Sequence, residues 1–203
     1  MKKNELFLSV ILTVCFLSAE PASAQSKSTK QKNLMVGEWF PLNTSKGGLG
    51  AGHTFNEDGN FITVNGAYVA INYKLEGDTL VMIFPGAPEN KQKVEITSTK
   101  LIFSNNGENT ELTRIAGDNN AGIIGKWTGD HYTGAKQIMD FTASGDLYLS
   151  VQMSSVPGTY EINGDIVELL GETNSSYQWS VKGDSLTLKA IANEKSYKFV
   201  RLK

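Results

Sequence analysis

Gly37-Glu38-Trp39 opens a stretch that closes on Leu112-Thr113-Arg114-Ile115. Gly125-Lys126-Trp127 opens a second that closes on Phe199-Val200-Arg201-Leu202. Between each tryptophan and its arginine the same turn signals recur in the same order, and such self-similarity must be read before any fold is assigned. The chain therefore reads as a duplication of one all-β unit of about 80 residues. Residues 34–115 form the first repeat and 123–203 the second. Residues 116–122, Ala-Gly-Asp-Asn-Asn-Ala-Gly, are a turn-rich linker short enough to keep the repeats in contact.

Residues 1–24 read as a signal peptide. Lys2 and Lys3 precede an apolar run over residues 6–17, and Ala22-Ser23-Ala24 supplies the small-x-small cleavage pattern. The run is too short to span a bilayer comfortably. Residues 25–33 are polar and read as a flexible leader. Cys15 is the one cysteine; Val14 before it is bulkier than lipoprotein processing favours, so simple export is expected over a lipid anchor. The exported chain, periplasmic or extracellular, then has no disulfide, thiol nucleophile or cysteine-based metal site. It must be held by its core, and its length allows one domain or two small ones. Net charge is −2 with no basic stripe, which argues against nucleic acid, and no second apolar span follows the signal segment.

After the signal the apolar pattern alternates with period two. Leu147, Leu149, Val151 and Met153 share one face; so do Tyr177, Trp179 and Val181, and Leu186, Leu188 and Ala190. Glu76-Gly77-Asp78, Asn163-Gly164-Asp165 and Lys182-Gly183-Asp184 read as tight hairpins, because glycine accepts positive φ. Longer turns follow Phe55 and Phe141 at matching places. The second repeat reads as eight strands, beginning near Ile124, Gln137, Leu147, Gly158, Ile166, Tyr177, Ser185 and Ser196. An up-and-down meander of that kind removes its exposed edges by closing into a barrel. The expected architecture is all-β: two tandem antiparallel up-and-down barrels, with one merged larger sheet or barrel as the alternative.

Gly-x-Trp on the first strand with Arg near the end of the last resembles the lipocalins and the wider calycin group. In that family the tryptophan closes one end of the barrel and the arginine packs across its ring. The matching residues are Gly37, Trp39 and Arg114 in one repeat and Gly125, Trp127 and Arg201 in the other. A guanidinium over an indole face contributes about 0.5–2 kcal/mol. Each repeat is about half an ordinary lipocalin, the family's cysteines are missing, and so is its loop motif built on Thr-Asp-Tyr. The chain is more similar to short lipocalin-like modules of bacterial secreted proteins. The resemblance implies a secreted or periplasmic binding protein, with a small hydrophobic ligand or an envelope protein as partner; it names no ligand-binding residue and no single function.

Candidate chemistry is sparse. His53 is in phase with Phe55 and reads as a core or rim residue facing a barrel interior; His131, beside Tyr132 in a glycine-containing loop, reads as exposed. The aspartates at the turns are explained by turn chemistry and do not make a calcium loop. Glu161 and Glu168 read as a solvated face, and there is no Gly-x-Ser-x-Gly turn. No catalytic residue, metal site or cofactor is expected, and an enzyme is not the reading. Leu80-Val81-Met82-Ile83-Phe84 is apolar on both faces. It reads either as a contact with the other repeat or as a docking surface built on Leu80, Met82 and Phe84. Two aromatic cores are expected, Trp39, Phe55 and Tyr73 in one repeat, and Trp127, Phe141, Tyr160 and Trp179 in the other. They would fill their barrels or leave room for one small ligand.

Overall fold

The glycines that punctuate the sequence do turn the chain. Gly77 and Gly164 take φ of 62° and 65° at two equivalent hairpins, a conformation that costs a residue without Cβ little. The computed structural model describes residues 33–45, 47–105, 108–120 and 122–202. The signal segment, Cys15 and all but the last residue of the leader lie outside them.

Among the described residues fourteen strands follow one another: β1 Gly37–Pro41, β2 Leu49–Phe55, β3 Asn60–Glu76, β4 Thr79–Ile83, β5 Asn90–Ile96, β6 Lys100–Asn105, β7 Glu108–Ala116, β8 Gly125–Asp130, β9 Lys136–Phe141, β10 Asp146–Asn163, β11 Ile166–Leu170, β12 Ser175–Lys182, β13 Ser185–Ala190 and β14 Ser196–Arg201. Each pairs antiparallel with the next, and β14 returns to β1, so the sheet is one closed ring. Among the described residues no helix is long and apolar enough to cross a membrane.

The merged sheet, rather than a tandem division at residues 116–122, is what the pairings show. β7 pairs with β8 across that boundary, and β1 pairs with β14 from the far end of the chain. The two strand starts read near Leu147 and Gly158 belong to one 18-residue strand, β10. It pairs along nearly its whole length with the 17-residue β3. That pairing crosses the ring and divides it into two closed circuits. The first runs through β1, β2, the N-terminal half of β3, the C-terminal half of β10, and β11 to β14. The second runs through β4 to β9 and the remaining halves of β3 and β10. Each circuit draws strands from both repeats.

The crossing point explains two local features. A Cβ on Gly66 would lie 2.2 Å from the Val151 carbonyl oxygen, so β3 and β10 approach here as only glycine allows. The register then slips between Gln152 and Ser154. Met153, in phase with Leu147 by alternation, is thrown out and is 70 % exposed, because a bulge resets which face a residue takes.

Two cores result, and the aromatics are exchanged relative to the repeats. Trp39, Phe55, Tyr160 and Trp179 share the core of the first circuit; Trp127, Phe141 and Tyr73 belong to the second. The hydrogen bonds show the same crossing. Tyr73 Oη donates to the Thr142 carbonyl at 2.7 Å, and Tyr160 Oη donates to the Asn56 carbonyl at 2.8 Å. A third packed region lies on outward faces, where Phe40 meets Tyr68 and Tyr148 at 5.1 Å each. Beside it Lys126 Nζ reaches Glu38 Oε2 at 2.5 Å. Asp140, opposite Lys126 in register, is buried, and that burial raises its carboxyl above the ordinary range.

Candidate functional site

The four barrel-closing residues pair crosswise. Arg201 lies over the Trp39 ring, its guanidinium carbon 4.2 Å from the centroid, and Arg114 lies over Trp127 at 3.9 Å. Pairing within each repeat, Trp39 with Arg114 and Trp127 with Arg201, is therefore corrected; the last strand of each repeat closes the circuit begun by the other. Each indole Nε1 donates to a carbonyl four residues earlier, Trp39 to Met35 at 2.7 Å and Trp127 to Ile123 at 2.8 Å. Each arginine then donates to carbonyls just before its tryptophan. Arg201 bonds Val36 and Leu34, and Arg114 bonds Gly122 and Ile124. These ends are plugs, closed by ring, guanidinium and backbone together.

The strand at residues 80–84 is core. Leu80 and Val81 are fully buried and Met82 nearly so; Phe84 is half-buried against the same cluster. The docking reading of Leu80, Met82 and Phe84 is therefore corrected. They face inward, and the outward Val81 is flanked in register by Lys74 and Lys91, both paired with Glu89.

The distinctive space is in the first circuit. A cavity of about 630 Å3 opens at the end away from the Trp39 plug. Its deep wall is formed by Phe61, Leu169, Leu188 and Phe199, all buried, together with His53 and Thr63. Its rim is polar: Asn43, Thr44, Ser45, Asn65, Glu172, Tyr177, Lys195, Tyr197 and Lys198. The Tyr177 and Tyr197 rings meet edge to face at 6.3 Å, and Lys195 Nζ lies 5.0 Å from the Tyr197 centroid. An apolar interior with a few convergent polar groups is the usual construction of a small-molecule site.

Strand register gives the interior residues of the two circuits that stand at matching places. Trp39 stands opposite His53, and Trp127 opposite Met139. His53 stands opposite Thr63, and Met139 opposite Leu149. Trp179 stands opposite Leu188, and Val94 opposite Phe103. Two residues beyond the equivalent Leu169 and Met82 come Gly171 and Phe84. Methionine, leucine, valine and two phenylalanines thus stand in one interior where histidine, threonine, tryptophan, leucine and glycine stand in the other.

His53 faces the interior as its phase with Phe55 predicts. Its ring lies 5.2 Å from Phe199, 5.8 Å from Phe55 and 6.4 Å from Phe61. Burial among these rings lowers its pKa to about 4, so it is neutral at pH 7. His53 Nδ1 and Thr63 Oγ1 are 3.0 Å apart and hydrogen-bonded. His131 is in another place altogether, half-buried against Tyr132 with its Nδ1 on Thr133. Glu161 and Glu168 stand directly opposite one another on β10 and β11, outside the cavity lining. Among the described residues no group of three or more histidines, cysteines and carboxylates could hold a metal.

Thr63, Gly171 and the rim residues carried no signal in a linear reading of the sequence. Aligning the repeats position by position would have found the first two, because leucine and phenylalanine are their counterparts.

No family model, no curated protein and no solved structure matches the chain.

Proposed function

We propose that the protein is a secreted or periplasmic lipocalin-like binding protein that holds one small, largely apolar ligand in the cavity of its first circuit. On this reading each circuit is a small barrel closed by its Trp–Arg plug, and the two have diverged into a carrier and a scaffold. The cavity carries the proposal: about 630 Å3, with a buried apolar wall, in one of two cores of matching construction. Filling both interiors equally would have been the simpler packing, since space without partner atoms forfeits dispersion contacts. His53 has its one hydrogen bond among the described residues with Thr63 and none with a carboxylate, which supports binding rather than chemistry.

Native mass spectrometry on protein prepared from its own host's envelope fraction tests this. Bound mass released on unfolding is the expected result. A bare chain that also takes up no lipophilic probe would remove the carrier reading. The interior placement of Leu80 and Met82 gives the partner-docking alternative no surface at that strand.

A further inference from the structure

Among the described residues, His53 has one ring nitrogen without a hydrogen-bond partner, and the residue stands in the wall of the cavity. Its Nδ1 is engaged by Thr63 Oγ1, and that is its one hydrogen bond among the described residues. Among the same residues no side-chain nitrogen or oxygen is both buried and unpaired. His53 Nε2 is therefore accessible and not sealed in the core, and the residue lines the cavity. Around it stand Phe61 and Phe199, with Leu169 and Leu188 completing the wall, so Nε2 and the Thr63 hydroxyl are a polar spot on an apolar surface. In the second circuit the same two positions are Met139 and Leu149, which offer no such group.

We infer that the cavity selects a lipophilic alcohol or phenol, bound with its hydroxyl inward on His53 Nε2 and its hydrocarbon body against Phe61, Leu169, Leu188 and Phe199. This rests on the carrier reading and specifies its ligand class. A hydroxyl both donates and accepts, so it satisfies Nε2 whichever nitrogen holds the ring proton. A carboxylate does not suit the spot. The imidazole is neutral at pH 7, because burial holds its pKa near 4, and an unpaired anion would be stripped of water beside phenylalanine rings. The lysines that could pair an anion, Lys195 and Lys198, are exposed at the rim. A fatty acid would have to bind with its head outward, leaving Nε2 facing hydrocarbon.

Titration calorimetry of the mature chain with 1-decanol and with decanoate at pH 7 separates the two orientations. The expected result is that decanol binds and decanoate binds at least about tenfold more weakly. His53→Leu should weaken decanol roughly tenfold, and His53→Gln, which keeps a hydrogen-bonding group, should recover most of that loss. Thr63→Val gives a second probe of the same spot and should also weaken decanol if His53→Leu fails to fold. Decanoate equal to or tighter than decanol, or decanol unaffected by the His53 and Thr63 changes, overturns the inference while leaving a carrier. Failure of both probes to bind a chain that is also bare in native mass spectrometry removes the carrier reading with it.

Discussion

Arg201→Met should couple to Trp39→Leu and not to Trp127→Leu. The guanidinium stands 4.2 Å above the Trp39 ring and donates to the Val36 and Leu34 carbonyls, which lead into the same strand. Methionine keeps much of the stem and removes the charge. The lost ring contact is worth about 0.5–2 kcal/mol. The lost hydrogen bonds from a charged donor are worth about 1.5–3 kcal/mol each at best. Both are reduced here because the guanidinium is partly exposed, so a total near 2–4 kcal/mol is expected. Once Trp39 is leucine the ring contact is already gone, and Arg201→Met should cost about 0.5–2 kcal/mol less. Trp127 is stacked under Arg114 instead, so its effect should add to that of Arg201→Met within about 0.5 kcal/mol. Urea unfolding of the three single and two double variants measures both couplings. A coupling of Arg201 to Trp127, with additivity to Trp39, would refute the exchanged closure of the circuits.

Two further outcomes follow from the same geometry. Proteolytic cleavage within residues 116–122 should leave two fragments that co-elute on size exclusion and separate only in denaturant, because each core draws on both repeats; fragments that part in native buffer and stay folded would contradict the shared β3–β10 pairing. His53 should make the fold acid-sensitive. Its folded pKa of about 4 lies below the ordinary 6.5, so the unfolded chain binds the extra proton and stability falls as pH drops from about 6.5 to about 4. The loss, full below pH 4, is on the order of 3 kcal/mol. Denaturant midpoints at pH 7 and pH 4 should therefore converge when His53→Met is compared with the native chain; an unchanged pH dependence in the variant would show that His53 is not the group responsible.

Much of this architecture is written locally. Period-two alternation and turn glycines mark strands because both depend on near neighbours, and Gly77, Gly164 and Gly183 take the conformations their sequence context implies. The matching Gly-x-Trp and Arg signals mark residues at comparable places, and Trp39, Trp127, Arg114 and Arg201 all stand in ring–guanidinium pairs. Partner choice is another matter. Arg201 could satisfy either tryptophan, since both repeats present the same Gly-x-Trp and the same preceding carbonyls. What decides is whether the stretch after Gly66 bends back or runs straight on, and in the structure it runs on as one strand. That depends on a close approach of β3 and β10, residues far apart in sequence. The cavity was hidden for a related reason. His53 is visible as an inward residue, yet an interior is empty only by the sum of its lining, and Gly171 in place of a phenylalanine contributes by what it lacks. The apolar run at residues 80–84 misled because its outward residue, Val81, is buried although Lys74 and Lys91 stand beside it in register.

The most direct test of the central claim is to place in the first cavity the residue that stands at the matching position of the second circuit. Gly171 lines the cavity, and a Cβ there would meet only the Pro157 carbonyl oxygen at 3.6 Å, an ordinary contact. Gly171→Phe copies Phe84 into that space. Native mass spectra of the native chain and of the variant, each purified from its own host, should then differ. The native chain should carry an additional mass on the order of a few hundred daltons, and the folded variant should be bare. A native chain without added mass, or a variant that carries the same mass as well as the native chain does, would contradict the assignment of this cavity as the binding site.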